Sequence, residues 1–174
     1  MHLASRSGQN KQNKGFTLIE LLITTALGMI LMMAVSTMFF VTTLNSAKIE
    51  ARKRLKNTGE DIKRNINFML KNSIKLLPNN LGQACTDTSS TLSSLRLKNI
   101  DDGITNLALI NDSGNLFIAS NSTKLNPTEI TPKNLHFTCI KNPAGETYVN
   151  YQFDLELGSL ASQHFSSFIL LRNN

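Results

Sequence analysis

Apolar residues fill one unbroken stretch near the start of the chain and then thin out into two different rhythms. From Phe16 to Leu44 the sequence runs FTLIELLITTALGMILMMAVSTMFFVTTL, 29 residues with a single charge, Glu20. As a helix it would be about 43 Å long at roughly 1.5 Å per residue. A bilayer core of about 30 Å needs only about 20 such residues. The pattern therefore predicts a membrane-spanning helix whose surplus tilts or projects. After Leu44 the sequence turns amphipathic, with Leu55, Ile62, Ile66, Met69 and Leu77 recurring at helical steps and basic residues on much of the other surface. No proline occurs between Phe16 and Leu77, and Pro78-Asn79-Asn80 is a strong stop. One helix of about 60 residues, roughly 90 Å, is expected. Residues 16–44 would be its lipid-soluble half and residues 45–77 its amphipathic continuation. Gly59 is the expected weak point, at about 1 kcal/mol relative to Ala.

Residues 78–174 follow a different period. Leu107 and Leu109, then Asp112-Ser113-Gly114-Asn115, then Leu116 and Ile118 predict a hairpin around a turn. Leu135, Phe137 and Cys139 alternate with polar or small neighbours. Val149, Tyr151, Phe153, Leu155 and Leu157 form the clearest period-two run. Phe165 to Leu171 is expected to be a final, more buried strand. The fold class is thus α+β, a long N-terminal helix packed on a small antiparallel β-sheet head. About 97 residues bury only a marginal core, which the amphipathic half of the helix would complete.

Charge changes this picture little. There are 18 Lys+Arg against 12 Asp+Glu, a net of +6, which falls to +3 without Arg6, Lys11 and Lys14 of the basic, acid-free residues 1–15. Whole-chain basicity is weak support for a nucleic-acid partner, and none is expected. Between Lys48 and Lys75 stand nine Lys+Arg and three acids. Such a stretch can hold anionic headgroups or DNA, but it is also what a solvated helix face looks like, its stems covering apolar surface. No aromatic residue interleaves the charges from Lys48 to Arg64, which counts against single-strand binding.

Candidate chemistry is concentrated at Lys14-Gly15-Phe16-Thr17-Leu18-Ile19-Glu20. A basic flank, a small residue, an aromatic and a carboxylate four residues on open the apolar helix. A carboxylate there costs about 2.5–3.5 kcal/mol at the bilayer centre on insertion scales and needs a partner. Cleavage after Gly15 would supply one, the new α-amino group of Phe16, one helical turn from Glu20. In a low-dielectric core of packed helices that attraction is far stronger than in water. A buried pair contributes register more reliably than stability, so Glu20 would align chains. Gly15 suits a peptidase that must close on extended backbone.

These residues, Gly15-Phe16-Thr17-Leu18-Ile19-Glu20-Leu21-Leu22, resemble the type IV prepilin family of pilins and pseudopilins. Ala26-Leu27-Gly28 and the two-cysteine head are similar to minor pilins of the PilW type. The resemblance implies a precursor in the inner (cytoplasmic) membrane, single-pass, with residues 1–15 as a cytoplasmic leader and residues 78–174 as a periplasmic head. A prepilin peptidase would cut between Gly15 and Phe16 and methylate the Phe16 amine. The pilus assembly machinery of the inner membrane would lift the chain from the lipid bilayer into a filament of pilin subunits at the cell surface, with residues 16–44 as its core. The implied function is structural, a minor pilin of a type IV pilus. The alternatives are a pseudopilin of a type II secretion or DNA-uptake system, or a single-span anchored binding module.

Competing readings bear on three points. Ala34-Val35-Ser36 has the small-x-small form of a signal-peptidase site, but Glu20 would interrupt a region that should be uncharged, and the apolar run continues to Leu44. Lys48, Arg52, Lys53, Arg54 and Lys56 lie just past that run and outnumber the leader's three cations, so the positive-inside rule alone would invert the topology; the cleavage motif requires the leader inside. Cys85 and Cys139 are expected to form a disulfide, since a head outside the cytoplasm is oxidised; closing that loop would contribute roughly 4 kcal/mol in the chain-entropy model. No metal site is expected, because no CxxC or clustered-His pattern occurs, and no cofactor. His2, His136 and His164 are scattered, no serine lies in a nucleophile motif and no phosphate-binding Gly loop appears, so no catalytic residue is expected and the chain is not expected to be an enzyme.

Overall fold

The structure, a computed structural model, describes residues 15–79, 81–82, 90–143 and 146–171. It divides into two compact units, Met1–Leu44, described from Gly15 onward, and Asn45–Asn174. A single helix, α1 (Leu18–Lys71), contributes to both. The described strands are β1 (Ser73–Leu77), β2 (Ser90–Leu92), β3 (Ser94–Asn99), β4 (Ile104–Asp112), β5 (Asn115–Ser120), β6 (Thr123–Lys124), β7 (Thr131–Lys141), β8 (Thr147–Leu157) and β9 (Ala161–Leu171). They form two antiparallel sheets, ordered β1-β3-β4-β5-β6 and β2-β7-β8-β9. The α+β layout is the one the periodicity predicts, with the single expected sheet resolved into two.

The amphipathic half of α1 buries Ala51, Leu55, Gly59, Ile62, Ile66 and Leu70. These fall at steps of four or three, one stripe of a helix. The stripe meets Leu95, Leu97 and Leu107 of the first sheet and Phe137, Val149, Tyr151, Phe153 and Phe165 of the second in one apolar core. Met69 lies at its margin.

The helix ends earlier than Pro78 implied. It stops at Lys71, and Ser73–Leu77 form β1. Ser73 Oγ donates to the Leu70 carbonyl at 2.7 Å, satisfying a helix-end acceptor. From there the backbone pairs with β3, Leu76 opposite Leu97 and Leu77 opposite Arg96. Leu77 is therefore a strand residue. The local sequence permits either state, and the β3 ladder decides it.

Gly59 is not a weak point. A Cβ there would stand 2.1 Å from Phe165 Cζ and 2.2 Å from Cε1. The glycine lets the ring of β9 lie directly on the helix backbone. Phe165 stacks in turn on Phe153 of β8, centroids 5.2 Å apart. Tyr151, also on β8, donates its hydroxyl to Asn67 Oδ1 at 2.6 Å and to the Lys63 carbonyl at 3.2 Å, tying the second sheet to α1 through polar atoms. Burial pushes the Tyr151 hydroxyl up to about 12.

The expected hairpin is β4–β5, with Asp112 opposite Asn115. Its two central residues, Ser113 and Gly114, have φ of 55° and 87°, as a type I′ turn demands. The Gly114 N–H donates to Asn111 Oδ1 at 3.0 Å. The period-two run is β8, with Val149, Tyr151, Phe153 and Leu155 buried. The last strand is less buried than expected. Phe165, Ile169 and Leu171 face the core, but Phe168 is 61 % exposed and Leu170 47 %. Like β8, β9 has one face on the core and one outside, and Phe168 stacks on Tyr148 on the outer one.

Two expectations follow. Gly59→Ala gains about 1 kcal/mol of helix propensity but overpacks against Phe165, so a net loss of about 1–2 kcal/mol is expected in urea unfolding; Phe165→Leu should remove most of that penalty. Tyr151→Phe should cost about 1 kcal/mol at neutral pH. Because the folded hydroxyl is held above the ordinary tyrosine value, its contribution is complete below about pH 10 and is lost as pH rises through about 12. Unfolding free energies at pH 9 and pH 12 should therefore converge in the variant relative to the wild type.

Candidate functional site

Gly15, Phe16 and Thr17 precede the first turn of α1. The Thr17 carbonyl accepts from the N–H groups of Glu20 and Leu21, both at 3.1 Å. Its Oγ1 lies 3.4 Å from the Glu20 N–H, so Thr17 stands as the N-cap. Glu20 falls in the first turn, where the helix dipole favours a carboxylate. Among the described residues no ion pair involves Glu20.

Nothing among the described residues requires glycine at position 15. A Cβ there would meet no atom within 4 Å, and the residue is not among those with positive φ. The same space is open at Gly28, in the middle of the apolar helix. Sequence reasoning noted Gly28 only as part of a family word; a glycine in an exposed helix interior, with no neighbour in its own chain, is the signal it could have used.

Residues 15–44 are exposed all round. Phe16 is 74 % exposed, and Leu18, Ile19, Met29, Leu31, Met33, Phe39 and Phe40 likewise face outward. α1 is long and apolar enough to cross a membrane. Five of its threonine hydroxyls make no outward demand. Thr24, Thr25, Thr37, Thr42 and Thr43 each donate back to the carbonyl four residues earlier, at 2.8–3.1 Å. Such bonds satisfy the side chain where no water is at hand.

The other predicted positions lie elsewhere. Cys139 is fully buried on β7 opposite Val149, and among the described residues no cysteine is free. Cys85 and residues 1–14 lie outside the described residues. On the basic stretch, Arg54 pairs with Glu50 at 2.8 Å, Lys63 with Glu60 at 3.3 Å and Arg64 with Asp61 at 3.7 Å. Arg52, Lys53 and Lys56 instead line a recess of about 380 Å³ with Ser162 and Gln163 of β9. No signal in the sequence brings these strand residues to that helix face.

His164 Nδ1 lies 2.6 Å from Asp154 Oδ1, joining β9 to β8. Burial acts to raise the Asp154 carboxyl, but hydrogen bonds from Asn134 and His164, with the charges of His164 and His136, hold it below the ordinary carboxylate range. This pair is a cross-strand tie. Among the described residues no group of three or more His, Cys, Asp or Glu is placed to hold a metal.

Residues 10–36 match the family model described as the prokaryotic N-terminal methylation motif. No curated protein and no solved structure matches the chain.

Proposed function

We propose that this chain, whose N-terminal segment is that of the type IV pilin and pseudopilin family, is a filament subunit made as a membrane-held precursor. A prepilin peptidase cuts between Gly15 and Phe16 and methylates the new Phe16 amine. Residues 1–15 are the cytoplasmic leader. Residues 16–44 span the inner membrane and then form the filament core among other pilin subunits. The rest of α1 and the β-rich head face the periplasm and finally the cell surface. The role is structural, without catalysis, and the PilW-type words favour a low-copy minor pilin.

The observation that carries this reading is the match at residues 10–36 over a helix start that is apolar, exposed all round and interrupted by one carboxylate. Gly15 adds support, because its own fold gives no reason for a glycine there. A peptidase that grips extended backbone does. Glu20, without an ion-pair partner among the described residues, comes four residues after the amine that cleavage would unmask. Buried among packed helices, that pair sets the height at which each subunit docks.

Cys139, buried and not free, fits a bridge to Cys85 in an oxidising compartment. The closed loop would matter to a small head, at roughly 4 kcal/mol in the chain-entropy model.

Mass spectrometry of the mature protein should find Phe16 first and one methyl group heavier than unmodified. A chain starting at Thr37, or one retaining residues 1–15, rules the proposal out. Glu20→Ala should leave the head's thermal unfolding unchanged while sheared filaments lose the subunit; unchanged incorporation would reduce Glu20 to a bystander. Alkylation under non-reducing conditions should label neither Cys85 nor Cys139, and Cys85→Ser should cost about 2–5 kcal/mol of head stability.

A further inference from the structure

Arg52, Lys53 and Lys56 follow one another at i, i+1 and i+4, so all three project from one sector of α1. Opposite them stand Ser162 and Gln163 at the start of β9, and the five side chains line a recess of about 380 Å³. Every one of them can donate a hydrogen bond. Among the described residues none of the five forms a side-chain hydrogen bond or ion pair, whereas Arg54, Lys63 and Arg64 on the same helix each have an acid. Acids close by along the helix and across the sheet are already engaged, Glu50 by Arg54 at 2.8 Å among them. Glu60, one turn beyond Lys56, meets Lys63 at 3.3 Å, and Glu156, opposite Ser162 on β8, meets Lys133 at 2.7 Å. The recess is thus an uncompensated concentration of donors around a concave space, the chemistry that receives a phosphate.

We infer that this recess binds the phosphate of an anionic phospholipid headgroup while the subunit is held in the membrane. The inference rests on the membrane-anchored reading given above. Its positional support is the chain itself. Arg52 comes eight residues after Leu44, the last residue of the apolar run, on the same continuous helix. Cations just beyond a spanning segment meet the headgroup layer. The inference also accounts for the excess of positive charge on what the cleavage motif makes the outer side, since a headgroup held there offsets it. Ser162 and Gln163 add neutral donors that a diffuse cationic surface lacks, and so select for a seated phosphate.

The test uses the full chain in vesicles of equimolar phosphatidylglycerol and phosphatidylcholine, followed by gentle detergent extraction and quantification of the lipid that stays bound. The wild type should retain phosphatidylglycerol over phosphatidylcholine by at least about fivefold, the effect of a single well-placed cation. The triple variant Arg52→Gln, Lys53→Gln, Lys56→Gln should lose the preference with unchanged thermal unfolding. A control with Arg64→Gln, Lys71→Gln and Lys75→Gln removes the same charge away from the recess and should keep it. Equal loss in both variants would show diffuse attraction and overturn the site. Displacement of the lipid by millimolar inorganic phosphate, or by duplex DNA, would overturn the headgroup assignment in favour of a free phosphate or a nucleic acid. Flotation separates this inference from its premise. Protein that floats with the vesicles but retains neither lipid preferentially overturns the headgroup site alone, and protein that does not float overturns the membrane anchor as well.

Discussion

Phe165 lies over Gly59, its ring carbons within 2.5 Å of where a methyl group would stand, and the approach of α1 to β9 is set there. Much of the head depends on that spacing. Phe153 stacks on Phe165, Tyr151 lies parallel to Phe153, and Tyr151 reaches back to α1 through Asn67 and Lys63. A closed path of contacts thus leaves the helix at residue 59 and returns to it one and two turns later. Apolar burial supplies most of the driving force in such a core, but it is non-directional. The absent side chain and the tyrosine hydroxyl are what fix one register of helix on sheet.

Signals confined to a few neighbouring residues were legible in the sequence. The apolar run, the Ser113-Gly114 turn and the alternation through Val149–Leu155 each carry their cause within ten or so positions. The N-terminal motif is of the same kind, which is why a family model covering only residues 10–36 finds it. What the sequence hid depends on partners far along the chain. Ser73–Leu77 became a strand because β3 offered a ladder, and no helical period reports the end of a helix that is won by pairing elsewhere. Gly59 looked like a defect because Phe165, more than a hundred residues later, is invisible at position 59. The single sheet became two for the same reason: strand order is a global property, and period two reports faces, not neighbours.

The two halves of α1 obey opposite rules. Beyond Asn45 its apolar side chains are gathered into one stripe and covered. Before it they point in every direction and are covered by nothing among the described residues. A stripe can be satisfied by one sheet, but an all-round apolar surface needs an environment that surrounds it, either hydrocarbon or a ring of other helices. The proposed life of the subunit uses both environments in turn, and Glu20 is the one group on that surface for which they differ.

The threonines of the apolar segment make that difference smaller still. The hydroxyls of Thr24, Thr25, Thr37, Thr42 and Thr43 are already spent on their own backbone, so exchanging acyl chains for protein neighbours breaks none of these hydrogen bonds. Passage between the two surroundings then runs on shape and on a single charge. Whatever closes around this segment, hydrocarbon or other helices, meets five threonines that ask nothing of it.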